Sequence, residues 1–302
     1  MPELPEVQTT VLGIKKYAVG KTITDVWTSY TNQSGFHNGK DNIKNADFFA
    51  EFKKKIVGKK ILDSKRRAKN ILINLSEDLT ILIHMKMTGH VLFGKYKKEK
   101  GAWKTLEKGP LADSFNQFIR VVFSLSDKKH LALSDMRRFA KVTLIETKNL
   151  PSSLHLKHLG LEPLEKNFTV ENFKSTLLKR PHYKIKKALL DQTLVVGIGN
   201  IYSDEALWRA DIHPERLVKD LSKKEWEKLF KETIAVLKKG IDFGGDSMSD
   251  YRNILGEKGK FQEEHNAYRR TNLPCKKKGC RGKIVRKIIA TRSSHFCDTH
   301  QK

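Results

Sequence analysis

"VVGIGNIYSDEALWRADIHP" (195–214) sets two glycines, Gly197 and Gly199, between two stretches of helical periodicity. The glycines make a tight turn, and Asn200 then falls where a helix can begin. Backbone N–H groups at such a start, with an amide side chain beside them, form an anion site. The stretch superficially matches a dinucleotide fingerprint, but the third glycine is missing and no strand–helix–strand unit surrounds it. A helix–turn–helix fits better: one helix through Leu189, the glycine turn, then a second helix to Ala210. Taken alone, these residues are equally well explained by a plain glycine loop between two packed helices.

Working outward, residues 184–192 read as the first of those helices, and 168–178 as an earlier one with Val170, Phe173 and Leu177 recurring behind a Thr169 cap. Downstream, "SKKE" (222–225) is a capping box ahead of Trp226, Leu229, Phe230, Thr233 and Leu237. That is an amphipathic helix which Gly240 is expected to end. After residue 274 the chain returns to short strand-like pieces. There Cys275, Cys280, Cys297 and His300 follow a C-x4-C-x16-C-x2-H spacing. Two short-spaced pairs flanking a hairpin-length segment suit a closed tetrahedral zinc site, structural because four protein ligands leave no position open. The bland alternative is three buried or reactive thiols and a surface histidine. "KIVRKIIATRSSHFC" (283–297) would form the hairpin, with Arg292 near its tip, either reaching a phosphate or merely solvated.

The first half has a different rhythm. Val7, Val11 and Ile14 mark a helix over 4–18, ended by Gly20. Strand alternation follows in "KTITDVWTS" (21–29), in a hairpin of "NILINL" (70–75) and "TILIHM" (80–85), in "FIRVVFSL" (118–125) with "KHLALS" (129–134), and in "FAKVTLI" (139–145). One helix followed by these strands predicts a sandwich or barrel. Residues 95–116 are polar and Lys-rich and read as a long surface excursion. "KRRAKN" (65–70) and "SDMRRFAK" (134–141) are basic clusters at strand ends, either phosphate contacts or solvated faces. Pro151 and Pro163 bracket a linker. The expected organisation is α+β: an N-terminal helix plus β-sandwich domain (1–147), a linker (148–165), a helical domain (166–270) and a zinc-finger hairpin (271–302).

The chain of 302 residues carries a formal net charge of +25, well beyond what solubility requires. Such an excess of Lys and Arg points to a polyanionic partner, nucleic acid first. An anionic membrane surface ranks second, since no basic amphipathic helix with lipid-facing aromatics is evident. No apolar run approaches the length that spans a bilayer. Three cysteines without a signal peptide argue for a reducing cytoplasm.

The opening "MPELPEV" (1–7) fits a helix start, with Pro5 in the first turn and Glu3 and Glu6 near the positive end of the dipole. That gives Pro2 no particular job. Removal of Met1 would expose a secondary amine; an α-amino group titrates about two units below lysine, so a useful fraction is free base at neutral pH. An unprotonated amine can attack an electrophilic carbon and form a Schiff base.

Taken together, "MPELPEV", "RRAKNIL", "HMKMTG", "DMRRF", "LLDQTLVVGIGNIYSDEALW", "IHP", "GGDSMSDY", "GEKGKFQ" and the cysteine finger resemble, in this order, the formamidopyrimidine-DNA glycosylase / endonuclease VIII family of base-excision repair enzymes. Leu4 and "RRF" point to the formamidopyrimidine branch. The resemblance implies a helix–two-turn–helix domain with a zinc finger, acting on double-stranded DNA with oxidised bases or abasic sites, as a monomer. It implies a bifunctional enzyme that removes oxidised purines such as 8-oxoguanine and formamidopyrimidines, then acts as an AP lyase by β,δ-elimination. Pro2 is then the nucleophile on C1′, Glu3 the acid that protonates the sugar ring oxygen, Glu6 a second glutamate near the amine, and Lys69 the lysine on the phosphate beside the lesion. Met87, Arg137 and Phe139, of either core or surface type by themselves, match the residues that fill the space left by a flipped base. Asn200 and Arg292 match phosphate clamps. Residues 244–262 match the lesion-recognition loop, with glycines suited to a mobile lid, and Asp250 and Tyr251 fall where it meets the oxidised base.

Several residues depart from the family pattern. The first cysteine gap is four and the last ligand is His300, with His295 a competitor for that place. Met136 replaces the usual proline of the wedge motif, Lys86 stands where Gly or Arg is commoner, and "NQF" (116–118) replaces a His-x-His segment. Two other readings remain: an endonuclease VIII-like preference for oxidised pyrimidines, and a non-catalytic nucleic-acid-binding zinc-finger protein, which would have no need of a terminal Pro-Glu.

Overall fold

The computed structural model describes residues 1–31, 41–248 and 250–302. The backbone divides into two compact units, one formed by residues 1–157 with 243–260 and the other by 158–242 with 261–302.

The first unit opens with α1 (Leu4–Ala18), whose Val7, Val11 and Ile14 fall on one buried face. Then follow β1 (Ile23–Thr28), α2 (Ala46–Ile56), β2 (Ile61–Arg67), β3 (Asn70–Leu75), β4 (Leu79–His84), β5 (His90–Gly94), β6 (Tyr96–Glu99), β7 (Ala102–Thr105), β8 (Ile119–Leu125), β9 (His130–Ser134) and β10 (Lys141–Glu146). Two antiparallel four-stranded sheets form, in the orders β1-β8-β9-β5 and β10-β4-β3-β2. Residues two apart on each strand (Ile71, Ile73 and Leu75 on β3; Val121, Phe123 and Leu125 on β8) join the α1 stripe in one core, the expected sandwich. The register is pinned at short turns, with Arg67 opposite Asn70 and Ala68 between them in the left-handed region.

The 95–116 stretch is more than a surface excursion. It contains the β6–β7 hairpin, and its Tyr96 and Leu111 pack with Leu92, Val122 and Ala132. Those three lie on the face of β5, β8 and β9 opposite the sandwich core. The excursion therefore gives that sheet a second dry face, which is why all five residues of β5 are buried.

The second unit comprises α3 (Val170–Leu177), α4 (Ile185–Leu190), α5 (Asn200–Ala210), α6 (Lys223–Asp242) and the hairpin of β11 (Ile284–Ile289) and β12 (Arg292–Cys297). Thr169 caps α3 by accepting the Asn172 N–H at 3.2 Å. The capping box of α6 is present: the Ser222 N–H donates to Glu225 Oε2 at 2.7 Å. Gly240 does not end α6, which runs two residues further, to Asp242. It sits inside the helix because a Cβ there would lie 2.5 Å from the Tyr202 ring of α5. Glycine here serves helix packing and is no stop signal. Among the described residues, no helix is long and apolar enough to cross a membrane.

Candidate active site and nucleic-acid interface

Pro2, Glu3 and Glu6 are all buried at the start of α1, while Met1 is exposed. Glu6 is the third helical residue, and its Oε2 accepts the Glu3 backbone N–H at 2.7 Å, the reciprocal half of a capping box. Its Oε1 accepts the Asp246 N–H at 2.8 Å. One carboxylate thus fixes the peptide next to Pro2 and the 243–260 segment together. Tyr251, buried, donates its hydroxyl to the Glu6 carbonyl at 2.9 Å. The fold brings Tyr251 onto α1 and leaves Asp250 half-buried at the surface. Gly244, Gly245 and Gly256 have positive φ. Gly259 packs against the start of the same segment, where a Cβ would lie 2.2 Å from the Gly245 carbonyl.

Lys69 lies in the β2–β3 turn and is buried. Arg66 ties this turn to α1, donating to Gln8 Oε1 and to the Ala68 carbonyl, both at 3.0 Å. In the neighbouring strands Asn70 and Lys141 both pair with His84. Burial first, then the charges of Lys86 and Lys69, lower the His84 pKa to about 3. The ring is therefore neutral, and its Nδ1 accepts the Lys86 N–H at 3.0 Å. Lys69, Lys86 and Lys141 thus gather around an uncharged imidazole at this end of the sheet.

The Met87 and Arg137–Phe139 loops are joined by a residue the sequence reading passed over. Asp135, fully buried, accepts Thr88 Oγ1 at 2.6 Å, the Tyr30 hydroxyl at 2.8 Å and the Ala140 N–H at 2.8 Å. Thr88 in turn accepts the Arg137 N–H at 3.0 Å. Gly89 is required here, since a Cβ would lie 2.4 Å from the Met85 carbonyl. The two loops so held expose Met87 at 39% and Phe139 at 40%, with the Arg137 guanidinium 4.6 Å over the Phe139 ring.

In the second unit, α4, a glycine turn and α5 follow one another as the sequence predicts. Gln192 closes the turn, accepting the Gly197 N–H at 2.9 Å and donating to the Ile198 carbonyl at 2.9 Å. Asn200 is the first residue of α5, and its side-chain amide donates to the Ser293 carbonyl at 2.7 Å. This bond links the helix start to the hairpin residue next to Arg292, which is exposed beside the Ala290–Thr291 turn. Behind them runs a buried polar chain invisible in the sequence. Lys186 Nζ donates to the Asn200 carbonyl at 3.1 Å, Ser203 Oγ at 2.7 Å and Asp204 Oδ1 at 2.6 Å. Asp204 Oδ2 accepts from His295, from its backbone N–H at 3.0 Å and from Nδ1 at 3.1 Å. All three ammonium protons have partners, so the buried charge is paired and hydrogen-bonded.

His295 is therefore committed to Asp204. The donor atoms of Cys275, Cys280, Cys297 and His300 lie within 4.8 Å of one another and could hold a metal ion. His300 Nε2 lies 3.2 Å from the Trp208 carbonyl. A proton there leaves the Nδ1 lone pair facing the thiols.

The chain is thus an α+β protein whose second unit is a helix–turn–helix carrying a hairpin with a Cys3His cluster that could hold a metal ion. Residues 1–142 match the model of the formamidopyrimidine-DNA glycosylase N-terminal domain, and residues 159–252 that of the formamidopyrimidine-DNA glycosylase H2TH domain. The formamidopyrimidine-DNA glycosylase of Pelotomaculum thermopropionicum is 37% identical, over 100% of this chain and 99% of that protein. Among solved structures, the Lactococcus lactis Fpg in complex with abasic-site DNA is 30% identical, covers 98% of this chain and 97% of its own, and superposes with a TM-score of 0.80. The same protein in complex with DNA containing N7-benzyl-Fapy-dG is 31% identical, covers 98% of each chain, and has a TM-score of 0.80. The chain belongs to the formamidopyrimidine-DNA glycosylase family.

Proposed function

We propose that this protein is a base-excision repair DNA glycosylase that removes oxidised purines through a Schiff base at Pro2, and then cleaves the strand as an AP lyase. The observation that carries this reading is the buried Pro2–Glu3–Glu6 start, with Glu6 gripping both the peptide next to Pro2 and the 243–260 segment. With Met1 removed, the Pro2 nitrogen attacks C1′ of a flipped-out nucleotide, the C1′–N bond breaks, and the base leaves with a proton. Glu3 protonates the ring oxygen, the sugar opens, and an iminium joins Pro2 to C1′. The iminium acidifies C2′–H, so its loss expels the 3′ phosphate, and a second elimination expels the 5′ phosphate. Lys69 pairs with the phosphate beside the lesion. Met87, Arg137 and Phe139 fill the vacated stack, Asn200 and Arg292 clamp the backbone, and Asp250 faces the base. Tyr251 anchors the loop beneath it. Double-stranded DNA is the partner, and the cytoplasm the compartment.

The cysteine–histidine cluster fits one structural zinc. Tetrahedral zinc, with sulfur at about 2.3 Å and nitrogen at about 2.0–2.1 Å, sets neighbouring donors about 3.5–3.8 Å apart. Cys280 and Cys297 Sγ are 3.6 Å apart, and Cys275 Sγ and His300 Nδ1 3.4 Å. The ion would lock the hairpin that presents Arg292.

Borohydride reduction with 8-oxoguanine duplex tests the central step. A covalent protein–DNA adduct is expected, and Pro2→Gly should lower its yield by a factor of about 100 or more. Equal trapping by a protein carrying extra residues ahead of Pro2 would remove the nucleophile assignment. A duplex panel that includes oxidised pyrimidines ranks the lesions.

A further inference from the structure

We propose that Arg252 is a positioning residue, held by an arm formed by residues 109–116, and that this arm sets the loop whose backbone binds Glu6. The inference rests on the proposed role of the Pro2–Glu3–Glu6 start. Arg252 is 1% exposed, an unusual burial for a guanidinium. Its Nη1 donates to the Tyr251 carbonyl at 2.9 Å, its Nη2 lies 3.5 Å from Asp113 Oδ2, and its guanidinium sits 4.8 Å over the Phe115 ring. Both the counter-charge and the ring come from the arm.

The arm makes a second contact four residues along the loop. Asn116, buried, donates from Nδ2 to the Gly256 carbonyl at 3.3 Å and to the arm's own Pro110 carbonyl at 2.8 Å. Its Oδ1 is fixed by His90 Nε2 at 2.8 Å. The fit at Gly256 is close, since a Cβ there would lie 2.7 Å from Asn116 Nδ2. Between these grips Ile254 is buried in the sandwich core, and its carbonyl accepts the Phe93 N–H at 2.7 Å. Residues 252–256 are thus fixed from two sides, while residues 246 and 251 bond Glu6. A displacement at Arg252 passes through one peptide to Tyr251 and so along the loop, while the Glu3–Glu6 capping bond keeps the start of α1 in place.

The proposal separates two activities. Base excision needs the loop in place around the base, whereas strand cleavage at a preformed abasic site needs Pro2 and Glu3 but no base recognition. Full-length protein and its Asp113→Asn, Phe115→Leu, Arg252→Met and Arg252→Lys variants would be compared in single turnover on 8-oxoguanine and abasic-site duplexes. Loosening the grip should slow base excision about tenfold or more and leave abasic-site cleavage within a factor of about two, with Arg252→Lys recovering part of the loss. Backbone amides of residues 246–256 should exchange hydrogen faster in Asp113→Asn and Phe115→Leu. Equal losses on both substrates, or unchanged excision with unchanged exchange, would overturn it. If Arg252→Met fails to fold, the two arm variants decide. If wild-type protein cleaves neither duplex, the enzymatic reading fails, and the exchange measurement still decides whether the arm holds the loop.

Discussion

Glu6 accepts one backbone N–H from three residues upstream and another from 240 residues downstream. A carboxylate suits this position because both of its oxygens only accept. Glu6→Gln keeps the shape but turns one acceptor into a donor facing an N–H. Leaving a buried N–H without an acceptor costs about 1–3 kcal/mol. The expected outcome is a folded protein with a melting temperature lowered by several degrees, roughly as that cost implies. Its base-excision rate should fall with it. Unchanged melting and unchanged rate would show that these bonds do not hold the site. Asp135 follows the same logic, its two carboxylate oxygens taking the donors that converge on them from Thr88, Tyr30 and Ala140. Neither role can be read along the chain: Asp135 has the composition of a surface residue, and its Tyr30 partner lies 105 positions away.

At the level of elements, the metal hairpin offers the sharpest test. Trp208 shares a buried cluster with Cys275 and Cys297, and its ring meets the His300 imidazole edge-on with centroids 5.4 Å apart. We expect about one zinc per chain. Chelation should change Trp208 fluorescence and weaken DNA binding together, and a Cys275→Ala, Cys280→Ala double variant should bind no zinc. Zinc retained by that variant would disprove the ligand set. This hairpin was legible because paired cysteines at short spacing have few other uses. So were α1 and the central strands, whose apolar periods are clear, and α5, which the glycine turn before it marks. Other elements escaped for physical reasons. β2 reads "ILDSKRR" because it lies at a sheet edge and buries few side chains. α2 carries Phe48, Phe49, Phe52 and Ile56 behind an Asn45 cap that accepts the Phe48 N–H at 2.9 Å, a legible signal that was passed over. Gly240 misleads because a missing Cβ means one thing at a helix end and another against a neighbouring ring.

For the whole molecule, charge and acidity govern behaviour. With a net charge of +25, binding to DNA should weaken steeply and log-linearly with salt, since each neutralised phosphate releases counterions. A flat response would mean that the charge serves something else. Acid acts through His84 and His90, whose pKa values burial lowers to about 3 and about 4 in the folded chain. An unfolded histidine titrates near 6.5, so below that pH the unfolded chain takes up the proton first. The stability of the neutral buried His90 ring is fully present above about pH 6.5 and is lost as pH falls toward about 4, at up to about 1.4 kcal/mol per pH unit. His90→Gln should flatten the melting-temperature profile over that window. An identical profile would remove His90 from the acid-sensitive groups.

The first unit is also interrupted in the chain. It leaves off at residue 157 and resumes from 243 to 260, contributing Ile254 to a core whose other members all precede residue 143. During synthesis from the N-terminus, the sandwich can collapse early but stays unplugged while the entire helix–turn–helix emerges. The amide that completes the Glu6 cradle comes later still than the turn bearing Asn200. A polypeptide ending before residue 243 therefore carries the Pro2–Glu3–Glu6 start without the amide that holds it.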